Sequence, residues 1–196
     1  MITSPAETNT FKKDGTLTIE QNVSINEDKP FLPRYGVHLS LKEGFDNIKF
    51  FGMGPHEAYE DKCLSTKMGI YSMPVSDNFE NYIFPQENSS HVGTMWAELS
   101  KPSGHALLFT APSSMVFRAS YYSDETLEST DVCNDLVPDS CAHVYLDYRQ
   151  SGCGSNSCGP ALDEKYRLNE KNFTFTFSVK PVFTNDADPF EELDKN

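Results

Sequence analysis

Phe173, Phe175, Phe177 and Val179 alternate with Thr174, Thr176 and Ser178, and a chain that keeps repeating this pattern has few ways to fold. Side chains two apart point to the same face of an extended strand, so each such run offers one face to a core and one to water. Val37, Leu39 and Leu41 alternate with His38 and Ser40 in the same way, and Leu17, Ile19, Val23 and Ile25 flank polar residues. Runs at 48–53, 94–99, 105–110, 115–120 and 143–149 also read as strands. Turn signals separate them: Asp14-Gly15, Lys42-Glu43-Gly44, Pro102-Ser103-Gly104 and Pro112-Ser113. One short helix is expected after Ser123, with Asp124 and Glu125 at its positive end and Leu127 facing inward. The pattern predicts an all-β fold of two packed, mainly antiparallel sheets. The 196 residues suit one domain: an arm at 1–8, disordered or added, a sandwich over 9–184, and an acidic, frayed tail over 185–196.

Charge narrows the partners. A formal net charge of −13 argues against nucleic acid and anionic membrane, which both need clustered Lys and Arg. No apolar run approaches the ~18 residues of a membrane span, and residues 1–7 lack the basic and apolar regions of a signal peptide. Five Cys, at 63, 133, 141, 153 and 158, give an odd count without the density of a disulfide-stapled domain, which suggests reduced thiols and a cytoplasmic location.

Residues 151–160, reading SGCGSNSCGP after the run at 144–150, hold four Gly or Pro and form a loop at a strand end. Cys153 and Cys158 have four residues between them and no His nearby, which suits neither a zinc hook nor a redox dithiol on a helix N-terminus. The stretch 52–61 is a Gly/Pro turn carrying Glu57, Glu60 and Asp61, and 84–88 is a loop carrying Glu87. Glu57 and Glu87 would make a glycosidase pair only if the fold brought their carboxyls to a working separation. The plainer reading is a buried carboxylate accepting backbone N–H bonds in a turn. His38, His56, His91, His105 and His143 are scattered, with no spacing that suggests a metal site.

Taken in order, LPRYG (32–36), FGMGPHEAYEDK (51–62), YIFPQEN (82–88), LDYRQSG (146–152) and SCGP (157–160) resemble the C-terminal domain of glycoside hydrolase family 2 β-galactosidases, the small chain in two-subunit members. The resemblance covers roughly residues 9–182. It implies a galactose-mutarotase-like β-supersandwich, and by comparison the present chain lacks about the first third of the family module. A sheet without its first strands would expose edges and apolar faces.

The resemblance also implies a division of labour. In the family the nucleophile and acid/base Glu residues sit on a TIM barrel, which needs ~250 residues with alternating helices. No catalytic residue is therefore assigned to this chain, nor any cofactor or metal site; Mg²⁺ and Na⁺ are expected in the complete enzyme. The implied partners are the catalytic TIM-barrel domain or large subunit and a galactoside. The substrate-binding candidates are Asn156, Ser157 and Cys158, in the loop Gly152 to Pro160, which matches the family loop that reaches the active site. Cys158 stands where many members have Trp, so the stacking face of an indole is missing. A rival reading is a free-standing carbohydrate-binding or mutarotase-like protein. It would use Glu57, Glu87, His56 and His91 as acid and base, with Tyr59, Tyr71, Tyr82 and Trp96 as loop-borne platforms for the sugar.

Overall fold

The alternating runs form nine strands in the computed structural model of the protein, which describes residues 5–154, 159–184 and 188–193. They are β1 (Ala6–Phe11), β2 (Leu17–Ser24), β3 (Arg34–Ser40), β4 (Asn47–Gly54), β5 (Lys67–Pro74), β6 (His91–Ser100), β7 (His105–Ser120), β8 (His143–Gln150) and β9 (Asn172–Phe183). All their pairings are antiparallel. One path runs β1-β2-β9-β7-β6-β4-β5, and β8 joins β7 while β3 joins β8.

The two expected layers are thus parts of one hydrogen-bonded sheet, and β7 is the strand they share. Its first part, His105 to Thr110, pairs with β9, and its last part, Val116 to Ser120, pairs with β8. Between the layers lie Ile48 and Phe50 of β4, Leu99 of β6, Phe109 and Phe117 of β7, Val144 and Leu146 of β8, and Phe175 and Phe177 of β9. Each such side chain is worth ~1.5–3 kcal/mol when fully buried, so this double-sided set dominates the stability of the sandwich.

Four details differ from the sequence reading. Pro112-Ser113 does not end a strand: β7 runs through it, and Pro112, Ser113 and Ser114 are exposed where the strand exchanges β9 for β8. A proline without its N–H is tolerated at such a point because no ladder bond is required there. Residues 6–8, expected in an arm, belong to β1 and pair with Asn22, Gln21 and Glu20. β5 carries no clear alternation in sequence and nonetheless borders β4 along eight residues. Part of the expected tail is a helix, α2 (Pro189–Leu193), whose Phe190 ring stands 5.2 Å from Phe51 and 5.8 Å from Trp96. Lys180 holds the same helix through Glu192 at 2.8 Å. The helix expected after Ser123 is present as α1 (Asp124–Glu128), where Ser123 Oγ accepts from Thr126 N at 3.1 Å and Leu127 is buried.

Candidate functional site

Arg34, at the start of β3, meets Asp147, near the end of β8, with Nη2 donating to Oδ2 at 2.7 Å. The strands come this close because position 36 is glycine: a Cβ there would lie 2.0 Å from Asp147 Oδ1 and 2.4 Å from the Leu146 carbonyl. Arg34 Nη1 donates to Glu87 Oε2 at 2.8 Å. Arg118, from β7, donates to the same Glu87 oxygen and to Asp124 of α1. Gln150 Nε2 donates to Asp147 Oδ2 at 2.7 Å, and Ser90 Oγ donates to Glu87 Oε1 at 2.6 Å.

Arg118 is only 1% exposed, and its guanidinium lies over the Tyr145 ring, 3.7 Å from the centroid. A buried cation needs such partners, because removing it from water costs several kcal/mol. Burial works against the charge of both arginines, yet Asp147, Glu87 and Asp124 outweigh it at Arg34, as Glu87 and Asp124 do at Arg118, and both pKa values are raised. Asp147 is nearly enclosed, and burial pushes its pKa up to about 6 against the pull of Arg34 and Gln150.

Glu57 is the second anchor. It is buried; its Oε1 accepts from Lys62 Nζ and Tyr82 Oη, and its Oε2 accepts from Ser89 N at 2.9 Å. The backbone reinforces this junction, with Ala58 N donating to the Ser90 carbonyl at 2.7 Å and Val92 N to the Ala58 carbonyl at 3.1 Å. Desolvation opposes the charge of Lys62, but its bonds to Glu57 and Tyr82 prevail and raise its pKa.

Asp61 is the third anchor and controls the loop. Its Oδ1 accepts from Cys153 N at 2.9 Å and its Oδ2 from Gly154 N at 2.8 Å. Position 152 must be glycine for this grip, since a Cβ would fall 2.4 Å from Asp61 Cγ. From the other side, Ser151 N donates to the Pro33 carbonyl at 2.8 Å, Ser151 Oγ to the Leu32 carbonyl at 2.6 Å, and Gly152 N to the Tyr166 carbonyl at 3.0 Å. The root of the loop is therefore tied to three neighbouring segments. Asn156, Ser157 and Cys158 lie outside the described residues.

Two depressions adjoin these anchors. One, of about 410 Å³, is lined by Tyr59, Lys62, Tyr82, Gln86, Glu87 and Cys153. The other, of about 340 Å³, has Arg34, Glu87, Asp124 and Glu128 among its walls, so Glu87 stands in both. The thiol of Cys153 is pushed up to about 12 by desolvation, with the Asp61, Glu87 and Glu57 carboxylates adding to the effect. A thiol so placed is neutral at neutral pH and a poor nucleophile.

The geometry corrects the rival's list of residues. Glu57 and Glu87 have their oxygens engaged by cations, hydroxyls and a backbone N–H. His91 is on β6 and fully buried, with Nδ1 3.0 Å from the Met53 carbonyl, and burial lowers its pKa to about 4. His56 is exposed and close in sequence to Glu57, whereas Trp96 and Tyr71 are on strands, and Trp96 is buried beneath Phe190. Of the four proposed platform rings, Tyr82 is the partly exposed one on a loop. Among the described residues no cluster of three or more His, Cys, Asp or Glu side chains could hold a metal ion. Arg34, Arg118 and Asp147 carry no sequence signal of a site on their own; Arg34 and Asp147 lie inside two of the ordered stretches, 32–36 and 146–152, which meet here together with Glu87 of 82–88.

The family model described as "Beta galactosidase small chain" matches residues 6–179. The chain belongs to this family. The β-galactosidase of Staphylococcus xylosus is 36% identical over 171 residues, which make up 87% of this chain and 17% of that protein. Those of Actinobacillus pleuropneumoniae and Kluyveromyces lactis are 33% and 31% identical, over 85% and 76% of this chain and 16% and 14% of theirs. This β-galactosidase small-chain module thus spans about a sixth of the length of the curated relatives it matches. Among solved structures, a putative aldose 1-epimerase from Escherichia coli K12 is similar with a TM-score of 0.45 and 12% identity, over 91% of this chain and 60% of that one.

Proposed function

We propose that this module is the C-terminal part of a glycoside hydrolase family 2 β-galactosidase, which cleaves terminal β-D-galactosides such as lactose with retention. In this reading the nucleophile, the acid/base and the residues holding Mg²⁺ and Na⁺ belong to the rest of the enzyme, which acts in the cytoplasm. The module contributes packing surface and one wall of the active site, the loop Gly152 to Pro160. The observation that carries the wall assignment is the Asp61 clamp. A carboxylate that fixes two consecutive loop N–H groups at 2.9 and 2.8 Å holds the loop entry against a scaffold of ion pairs, as a wall must be held to help position a substrate.

The test is Asp61→Ala in a full-length β-galactosidase carrying this module. Removing both acceptors takes away one of the three ties on the loop root and alters neither the nucleophile nor the acid/base. KM for lactose should rise several-fold with kcat little changed, and Asp61→Asn, which keeps one acceptor, should restore part of the affinity. A fall in kcat at constant KM would contradict the wall assignment.

A further inference from the structure

His38 of β3 and His143 of β8 meet ring nitrogen to ring nitrogen, with Nε2 of the first 2.9 Å from Nδ1 of the second. A gap of that width holds one hydrogen, because two N–H groups aimed at each other would clash. The far side of His143 decides which ring supplies it. There Nε2 lies 3.0 Å from Asp139 Oδ2 and 3.8 Å from Cys141 Sγ. Burial opposes the charge of Asp139, yet the Ser123 N–H, the Thr126 hydroxyl and His143 hold its pKa below the ordinary carboxylate value. An ionised carboxylate can only accept, so His143 carries its hydrogen on Nε2 and its Nδ1 is bare. In the neutral pair His38 Nε2 is therefore the donor, and Ser40 Oγ stands 3.3 Å from the same Nδ1.

The contacts continue in both directions. Asp139 Oδ2 also accepts from Ser123 N at 2.9 Å, and both its oxygens accept from Thr126 Oγ1 at 3.0 Å, so the carboxylate that orients His143 also fixes the start of α1. On the other side the His38 ring stacks on Tyr145, with 4.4 Å between centroids and 8° between planes. Tyr145 already has Arg118 at 3.7 Å and Arg34 at 5.2 Å from its ring centroid, so a cationic His38 would be a third positive charge at one ring. We propose that His38 and His143 form an acid-opened clasp, two rings sharing one hydrogen, which joins β3 to the start of α1 through Asp139 and lets go only when both rings are protonated. One added proton is accommodated. It takes Nδ1 of His38, or the shared hydrogen crosses the gap and leaves the charge on His143 beside Asp139. A second proton puts an N–H on each side of the gap. His143 is kept in place by Asp139, so His38, the more exposed partner, must leave the Tyr145 ring. Tyr145 Oη accepts from Asp124 N at 3.0 Å, so the ring that His38 leaves is one that also holds α1. The groups facing the pair set the balance: burial, then His143 and Arg118, lower the pKa of His38 against the pull of Asp124 and Glu125 on α1.

The test is an imidazole nitrogen NMR titration of the 196-residue chain, from about pH 8 to about pH 4.5. His38→Gln, which keeps a donor at the same strand position and cannot titrate, is measured beside it. At the start both His38 and His143 should carry hydrogen on Nε2 alone. The pair should take up its two protons in steps at least about one pH unit apart, roughly a tenfold difference in proton affinity. The ring-current shift that Tyr145 imposes on the His38 ring protons should be lost with the second step and not the first. In His38→Gln the later step should be absent, and His143 should titrate once. A His143 ring with its hydrogen on Nδ1 at about pH 8 would overturn the clasp. So would steps closer than about one unit, a ring-current shift lost with the first step, or a His143 curve that His38→Gln leaves unchanged. The native chain alone decides the first three, so the proposal stays testable if the variant fails to fold.

Discussion

Cys153 shows how far a local field sets the chemistry of a side chain. It belongs to a loop with two cysteines, and its backbone N–H is held by the Asp61 carboxylate. Desolvation and three nearby carboxylates push the thiol from an ordinary 9.0 up to about 12. Because the shift is upward, the reactive thiolate is scarcer at every pH below 12 than in a free thiol. Alkylation by iodoacetamide at pH 8.5, followed by peptide mapping, should find Cys153 on the order of a hundredfold slower than a free cysteine, although the residue is exposed. Asp61→Asn should speed it up. Labelling of Cys153 at the rate of a free thiol would show that the carboxylates do not act on it.

At the scale of elements, α2 covers a surface that the alternation in β4 and β6 leaves apolar on both faces. Phe51 and Trp96 face away from the inter-layer core and are met by Phe190. Truncating a half-exposed Phe should cost about 1–2 kcal/mol, below the 3–5 of a fully buried one. Trp96 is the one tryptophan of the chain, so Phe190→Ala should shift the emission of the folded protein to the red and lower its denaturant midpoint. Unchanged emission would mean that the helix does not cover the ring. Neither α2 nor the continuity of β7 was legible in the sequence. The segment 185–196 is acidic with one aromatic ring, and only the fold supplies the surface that ring docks on. Pro112-Ser113 has the composition of a turn, and only the change of partner from β9 to β8 makes room for it within a strand. By contrast β2, β3, β4, β6, β8, β9 and α1 were legible, because alternation and an N-cap are properties of short windows.

For the whole molecule, the five ordered stretches are readable as a family signature, but the meeting of the first four at one end of the sandwich is not. Arg118 reads as an ordinary polar residue of an alternating strand, and Asp147 as one position of a strand end. Their partnership with Arg34 and Glu87 spans up to 113 residues of sequence, a distance only the β3–β8 and β7–β8 pairings close. The assembled end of the sandwich holds ion pairs and a clamped loop root, and its carboxylates are committed to holding structure. Under the proposed function the module assists catalysis without carrying it. The measurement that tests this most directly is turnover of a chromogenic β-galactoside by the purified 196-residue chain alone, set beside a full-length β-galactosidase containing it. Hydrolysis is expected from the full-length protein and none above buffer from the chain. Turnover that stays with the chain through purification and is lost in Glu57→Gln or Glu87→Gln would contradict it.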